Sequence, residues 1–112
     1  MLCRSDSSEM DKLAGLKEIL ELDPKNSFAR YGMAMELAGR GETDAALAEF
    51  STLLANDPDY TAAYFMAAQT LANEARIPEA IEQLKAGIAS GKRTGNNHAI
   101  SEMQQMLDEL DR

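Results

Sequence analysis

Gly87, Gly91 and Lys92 come nearest, in this chain of 112 residues, to a phosphate chemistry, because a glycine turn followed by lysine can cradle phosphate oxygens. The spacing excludes it. Three residues separate the glycines where a phosphate loop has four, Arg93 follows the lysine where Ser or Thr would hold magnesium, and no strand-like run precedes them. Lys92 and Arg93 suit instead the last turn of a helix, where positive charge meets the negative end of the dipole. His98 is the only histidine and has neither a cysteine nor a second histidine with which to share a metal, so no metal or cofactor is expected. Glu36, Glu42, Asp44 and Glu49 are spaced as solvated faces and turns rather than as an acid and base across a cleft. No nucleophile stands with a base, so no catalytic residue is assigned and the chain reads as a non-enzyme.

Composition narrows the alternatives. Eleven Lys and Arg against nineteen Asp and Glu give a net charge of −8, and only Lys85, Lys92 and Arg93 cluster, so a nucleic-acid backbone would be repelled. The single cysteine, Cys3, excludes an internal disulfide. No apolar run approaches a membrane span and the start lacks the apolar core of a secretory signal, which together lead to an expected cytoplasmic protein with no membrane partner. The length suits one domain. Abundant alanine and few aromatics favour closely packed helices over a sheet.

The dipeptide Asp23-Pro24 returns as Asp57-Pro58, 34 residues later. At that offset Leu13, Leu47 and Ile81 align, as do Leu16, Phe50 and Leu84, then Leu20, Leu54 and Ile88. Tyr31 falls on Phe65, Met33 on Ala67, Ala34 on Ala68, Leu37 on Leu71, and Ala46 on Ala80. Such a period marks one supersecondary unit stacked on itself, since each unit alone cannot bury its apolar face.

Residues 1–7 are polar and are expected to be unstructured. A leading helix over 8–24 starts at Ser8, with Asp11 reaching back to complete the cap, and ends before Pro24. The first repeat covers 26–59: Asn26 caps one helix to about Gly39, Gly39-Arg40-Gly41 turns the chain, and Thr43 caps the next. The second repeat covers 60–91, with a helix from about Asp59 to Asn73, Pro78 in the first turn of its partner, and Gly91 as the stop. Residues 91–97 read as a linker. A closing helix over 97–110 has the single stripe Ile100, Met103, Leu107 and Leu110, as the end of a stack requires.

These columns resemble the tetratricopeptide repeat, a 34-residue helical hairpin. Met33, Ala34, Leu37, Ala46, Phe50 and Pro58 take its slots in the first unit, though Arg30 stands where a large aromatic is usual. Tyr64, Ala67, Ala68, Leu71, Ala80 and Leu84 take them in the second, where the proline is missing. Leu16 and Pro24 make residues 8–24 similar to the second helix of an incomplete leading repeat. The resemblance implies an all-α, short right-handed solenoid of about five helices that binds another protein or peptide in a concave groove. Carried over by slot, the groove comprises Phe28, Tyr31, Met35 and Ala38 from the first unit and Ala62, Phe65, Gln69 and Asn73 from the second. Because these positions are mainly apolar, an apolar peptide or helix fits better than a carboxylate clamp. Two alternatives stand beside this: the same patch joins two copies in a homodimer, or the closing helix folds back over it with Met103 and Met106.

Overall fold

Local chemistry sets the helix ends. The computed structural model describes residues 3–112, and they form α1 (Cys3–Leu22), α2 (Ser27–Gly39), α3 (Thr43–Asn56), α4 (Thr61–Asn73), α5 (Ile77–Thr94) and α6 (Asn97–Leu110). Six helices stand where about five were expected, because the leading helix, four hairpin helices and the closing helix are all separate elements. No strand occurs among the described residues. Asn26 caps α2 through a side-chain oxygen 2.9 Å from the Ala29 amide, and Asn96 does the same for α6 at the Ala99 amide, 3.1 Å away.

Three ends differ from the sequence reading. Helix α1 begins at Cys3, not Ser8, because nothing between Cys3 and Ala14 is Gly or Pro to stop it; Met1, Leu2 and the side chains of Ser8 and Asp11 lie outside the described residues. Thr43 is the first residue of α3 rather than its cap, and Glu42 before it makes no side-chain cap bond. Helix α5 continues through Gly91 to Thr94 and ends at Gly95, which is left-handed at φ 70°.

The physical reason for the last difference lies on α6. A Cβ on Gly91 would stand 2.7 Å from Ile100 Cγ1, and one on Gly87 would stand 2.4 Å from Met103 Sδ and 2.6 Å from Tyr64 Cβ. Both glycines let helices approach closely within the stack, so Gly91 is a packing residue and not a stop.

Helices α2 and α3 form one antiparallel hairpin and α4 and α5 another. Ala34 meets Ala46 in the first and Ala68 meets Ala80 in the second, all fully buried. Small side chains at these crossings set the short separation that lets Phe50 and Leu84 fill the two cores. Helix α1 packs on α2 through Leu13, Leu16 and Leu20 against Ala29, Met33 and Leu37. Helix α6 closes the other end with Met103 inside the second core.

The junctions repeat as faithfully as the cores. Arg30 Nη2 donates to the Pro24 carbonyl at 2.9 Å, and Tyr64, 34 residues on, donates its hydroxyl to the Pro58 carbonyl at 2.7 Å. Arg30 thus replaces the aromatic by doing its hydrogen-bonding work, with Glu49 at 2.7 Å balancing the charge. Ser27 reaches Asp57 at 3.1 Å, and its counterpart Thr61 reaches the buried Ser90 hydroxyl at 2.8 Å. Gly41 (φ 80°) turns the first hairpin, whereas Ala75 (φ 61°) holds the same left-handed position in the second.

Replacing Ala46 or Ala68 with Leu is expected to destabilise by about 1–3 kcal/mol through overpacking, read as a lowered thermal midpoint; an unchanged midpoint would contradict this packing. Gly87→Ala is expected to cost a similar amount, about 1–3 kcal/mol, while Ala75→Gly relieves left-handed strain and stabilises by up to about 1 kcal/mol. Urea titration checks both, and equal signs for the two substitutions would refute the assignment.

Candidate functional site

The two rows of helices are not equivalent. Helices α2 and α4 touch, as do α4 and α6, whereas among the described residues the backbones of α1, α3 and α5 keep apart from one another. A stack whose even row is closer than its odd row curves toward the even row, which therefore lines the inside. The gaps of the outer row are clefts: about 550 Å³ bordered by Leu13, Leu37, Arg40 and Glu49, and about 430 Å³ bordered by Leu47, Leu71, Arg76 and Gln83. Leu47 and Gln83 lie 34 residues beyond Leu13 and Glu49, so these clefts follow from the repeat itself.

On the inner row, Phe28 is 79% exposed at the start of α2. Tyr31, Met35 and Ala38, at i, i+4 and i+7, are half-buried against the first core and form the wall that faces α4. Ala62, Gln69 and Asn73 are exposed on α4, while Phe65 is half-buried against the second core. The eight expected positions therefore divide into two seams, Tyr31, Met35 and Ala38 at α2–α4 and Phe65 and Gln69 at α4–α6, with Phe28, Ala62 and Asn73 on the open surface.

Helix α6 does not fold back over this face. Met103 is fully buried in the core, and α6 packs on α5 and α4 without touching α2. It extends the row as a third wall.

Slot matching missed several neighbours. Tyr60, just before α4, lies against Tyr31 with ring centroids 5.3 Å apart, and Tyr31 also meets Phe50 edge-on at 6.4 Å. Burial raises the hydroxyl pKa of both tyrosines, helped at Tyr31 by Tyr60 and at Tyr60 by Asp57, so both remain neutral phenols at ordinary pH. Met66 lies one turn beyond Ala62, half-buried against the first core; helical spacing alone would have placed it on this face. Glu102, Gln105, Met106 and Glu109 of α6 join Phe65 and Gln69 around a cleft of about 300 Å³.

His98 is exposed and stands 3.6 Å from Glu102, and among the described residues no cluster of three metal-ligating side chains occurs. Among the same residues no helix is long and apolar enough to cross a membrane.

Helical hairpins stacked at a 34-residue period, with an apolar inner row, define a helical-repeat protein. A sequence model of the tetratricopeptide repeat matches residues 37–96, more than half of the chain, and the chain belongs to that family. It is similar to a tetratricopeptide repeat domain protein from Salinibacter ruber, solved in solution, at 30% identity over 79% of this chain and 89% of that one, with a TM-score of 0.73. Its fold is also that of the TPR2B domain of yeast Sti1 in its pHsp70 complex, at 18% identity, 97% and 87% coverage and a TM-score of 0.84. The type III secretion translocator chaperone SycD of Yersinia enterocolitica matches at 17% identity, 97% and 76% coverage and a TM-score of 0.82. No curated protein sequence matches the chain.

Phe28→Ala is expected to leave stability within about 0.5 kcal/mol, as surface changes do, whereas Tyr31→Ala should cost at least about 1 kcal/mol because it breaks two ring contacts. Equal effects in chemical denaturation would show that the two residues are not divided between surface and wall as described.

Proposed function

We propose that this chain is a protein-interaction module whose inner face accepts an apolar peptide or helix of another protein. The observation that carries the reading is Phe28, exposed at 79% on the row that also presents Tyr31, Met35, Ala38, Ala62, Phe65, Gln69 and Asn73. A large aromatic in water beside half-buried apolar neighbours extends an apolar patch that a partner can cover, recovering its transfer free energy. The Sti1 domain in its pHsp70 complex and the chaperone SycD support the reading by fold.

A second reading draws on the same observation: the patch joins two copies of the chain. It competes because Phe28 needs cover of some kind, and a second copy supplies an identical aromatic.

Light scattering over a concentration series separates the two, with Phe28→Glu alongside. The expected result is a monomer of 12.2 kDa at every concentration, together with selection of short peptides from a randomised display library that lose affinity for the Phe28→Glu chain. A dimer that Phe28→Glu converts to monomer would establish self-association instead. Selected peptides indifferent to both Phe28→Glu and Met35→Glu would remove the inner face from consideration.

A further inference from the structure

We infer that the seam between α4 and α6 is a subsite for a lysine or arginine side chain of the bound partner, and that it fixes the direction in which the partner's segment lies. The inference deepens the reading of the inner face as a peptide-binding surface and rests on it. The cleft of about 300 Å³ is bordered by Phe65, Gln69, Glu102, Gln105, Met106 and Glu109. That combination matches a long basic side chain part by part. Phe65 and Met106 offer apolar surface to the methylene stem, the two amides offer carbonyl acceptors, and the two carboxylates stand where the charged head emerges.

Charge on the rest of the inner row points the same way. Helix α4 has no charged residue, and α6 carries Glu102, Asp108 and Glu109 with no lysine or arginine. The two charges of α2 are engaged away from this face: Arg30 with Glu49 and the Pro24 carbonyl, and Glu36 with Arg40 and Lys12. Asp108 already accepts from Gln104 at 2.9 Å. Glu102 faces only His98, 3.6 Å away on a highly exposed side chain, and Glu109 makes no ion pair among the described residues. The carboxylates of α6 therefore give the α6 side of the cleft a negative character, while the α2 end presents Phe28, Tyr31 and Met35. Complementary charge steers encounter and sets register more than it adds affinity. The segment thus lies with its basic residue at α6 and its apolar residues toward α2.

The test uses the full chain and randomised short peptides selected on it by display, followed by titration of the recovered peptides against the chain and against a Glu102→Gln, Glu109→Gln variant. Both glutamates are exposed, and an unchanged thermal midpoint confirms that the variant is folded. The expected result is enrichment of lysine or arginine beside aliphatic or aromatic residues, with affinity falling about five- to tenfold in the variant, as the loss of two exposed ion pairs implies, and falling likewise with added salt. Replacing the basic residue of a peptide by norleucine should erase the difference between chain and variant. Peptides that bind through Phe28 without basic enrichment, or with no response to the variant, overturn the subsite and leave the groove standing. If no peptide is enriched over an unrelated protein, both fall. A dimer that the glutamine variant dissociates would assign the cleft to a second copy and also overturn the inference.

Discussion

The contact on which the stack most depends is the meeting of Tyr64, Gly87 and Met103. Two hairpins are fewer than a helical-repeat array ordinarily needs to be stable, and the flanking helices α1 and α6 add to the burial of the two hairpins. At Gly87 the backbone of α5 comes close enough to touch side chains of both α4 and α6. That proximity puts Met103 at the centre of the second core and places α6 as the third inner wall. At the other end α1 contributes Leu13, Leu16 and Leu20, but Ile19 and Leu22 remain exposed.

The period of 34 residues was legible because it is written in volumes. Ala46 and Ala80 must be small, Phe50 and Leu84 must be large, and proline ends a helix whatever its surroundings. Gly91 was not legible, because glycine serves equally as a helix stop and as a close-packing residue. What decides between them here is Ile100, brought against it only by the fold. Ala75 hides for a similar reason: the repeat asks for glycine there, and only the backbone shows that alanine takes the same left-handed turn. Slot matching located residues on the inner helices, but it treated each repeat alone. Tyr60, Met66 and the α6 wall belong to seams between units, and seams depend on how units are stacked.

The distribution of charge is as organised as that of volume. A chain with nineteen acidic residues leaves α4, the middle helix of the inner row, without any, so that its neighbours on both sides can approach it. The charges of α2 are turned toward α1 and α3, where they tie helices together, and those of α6 remain in water. One sign of charge therefore collects at one end of an otherwise apolar surface.

The paired junctions at Pro24 and Pro58 carry a different implication. The same carbonyl acceptor is held by a guanidinium in one repeat and by a phenol in the other. The guanidinium is anchored in turn by a carboxylate in a partly buried pair, and beside the phenol a second guanidinium, that of Arg93, pairs with Asp59 at 2.7 Å. Both junctions therefore carry a charge pair near the proline, one partly buried and the other open to water. Dissolved ions screen an exposed pair more than a partly buried one, so salt bears more on Arg93–Asp59 than on Arg30–Glu49.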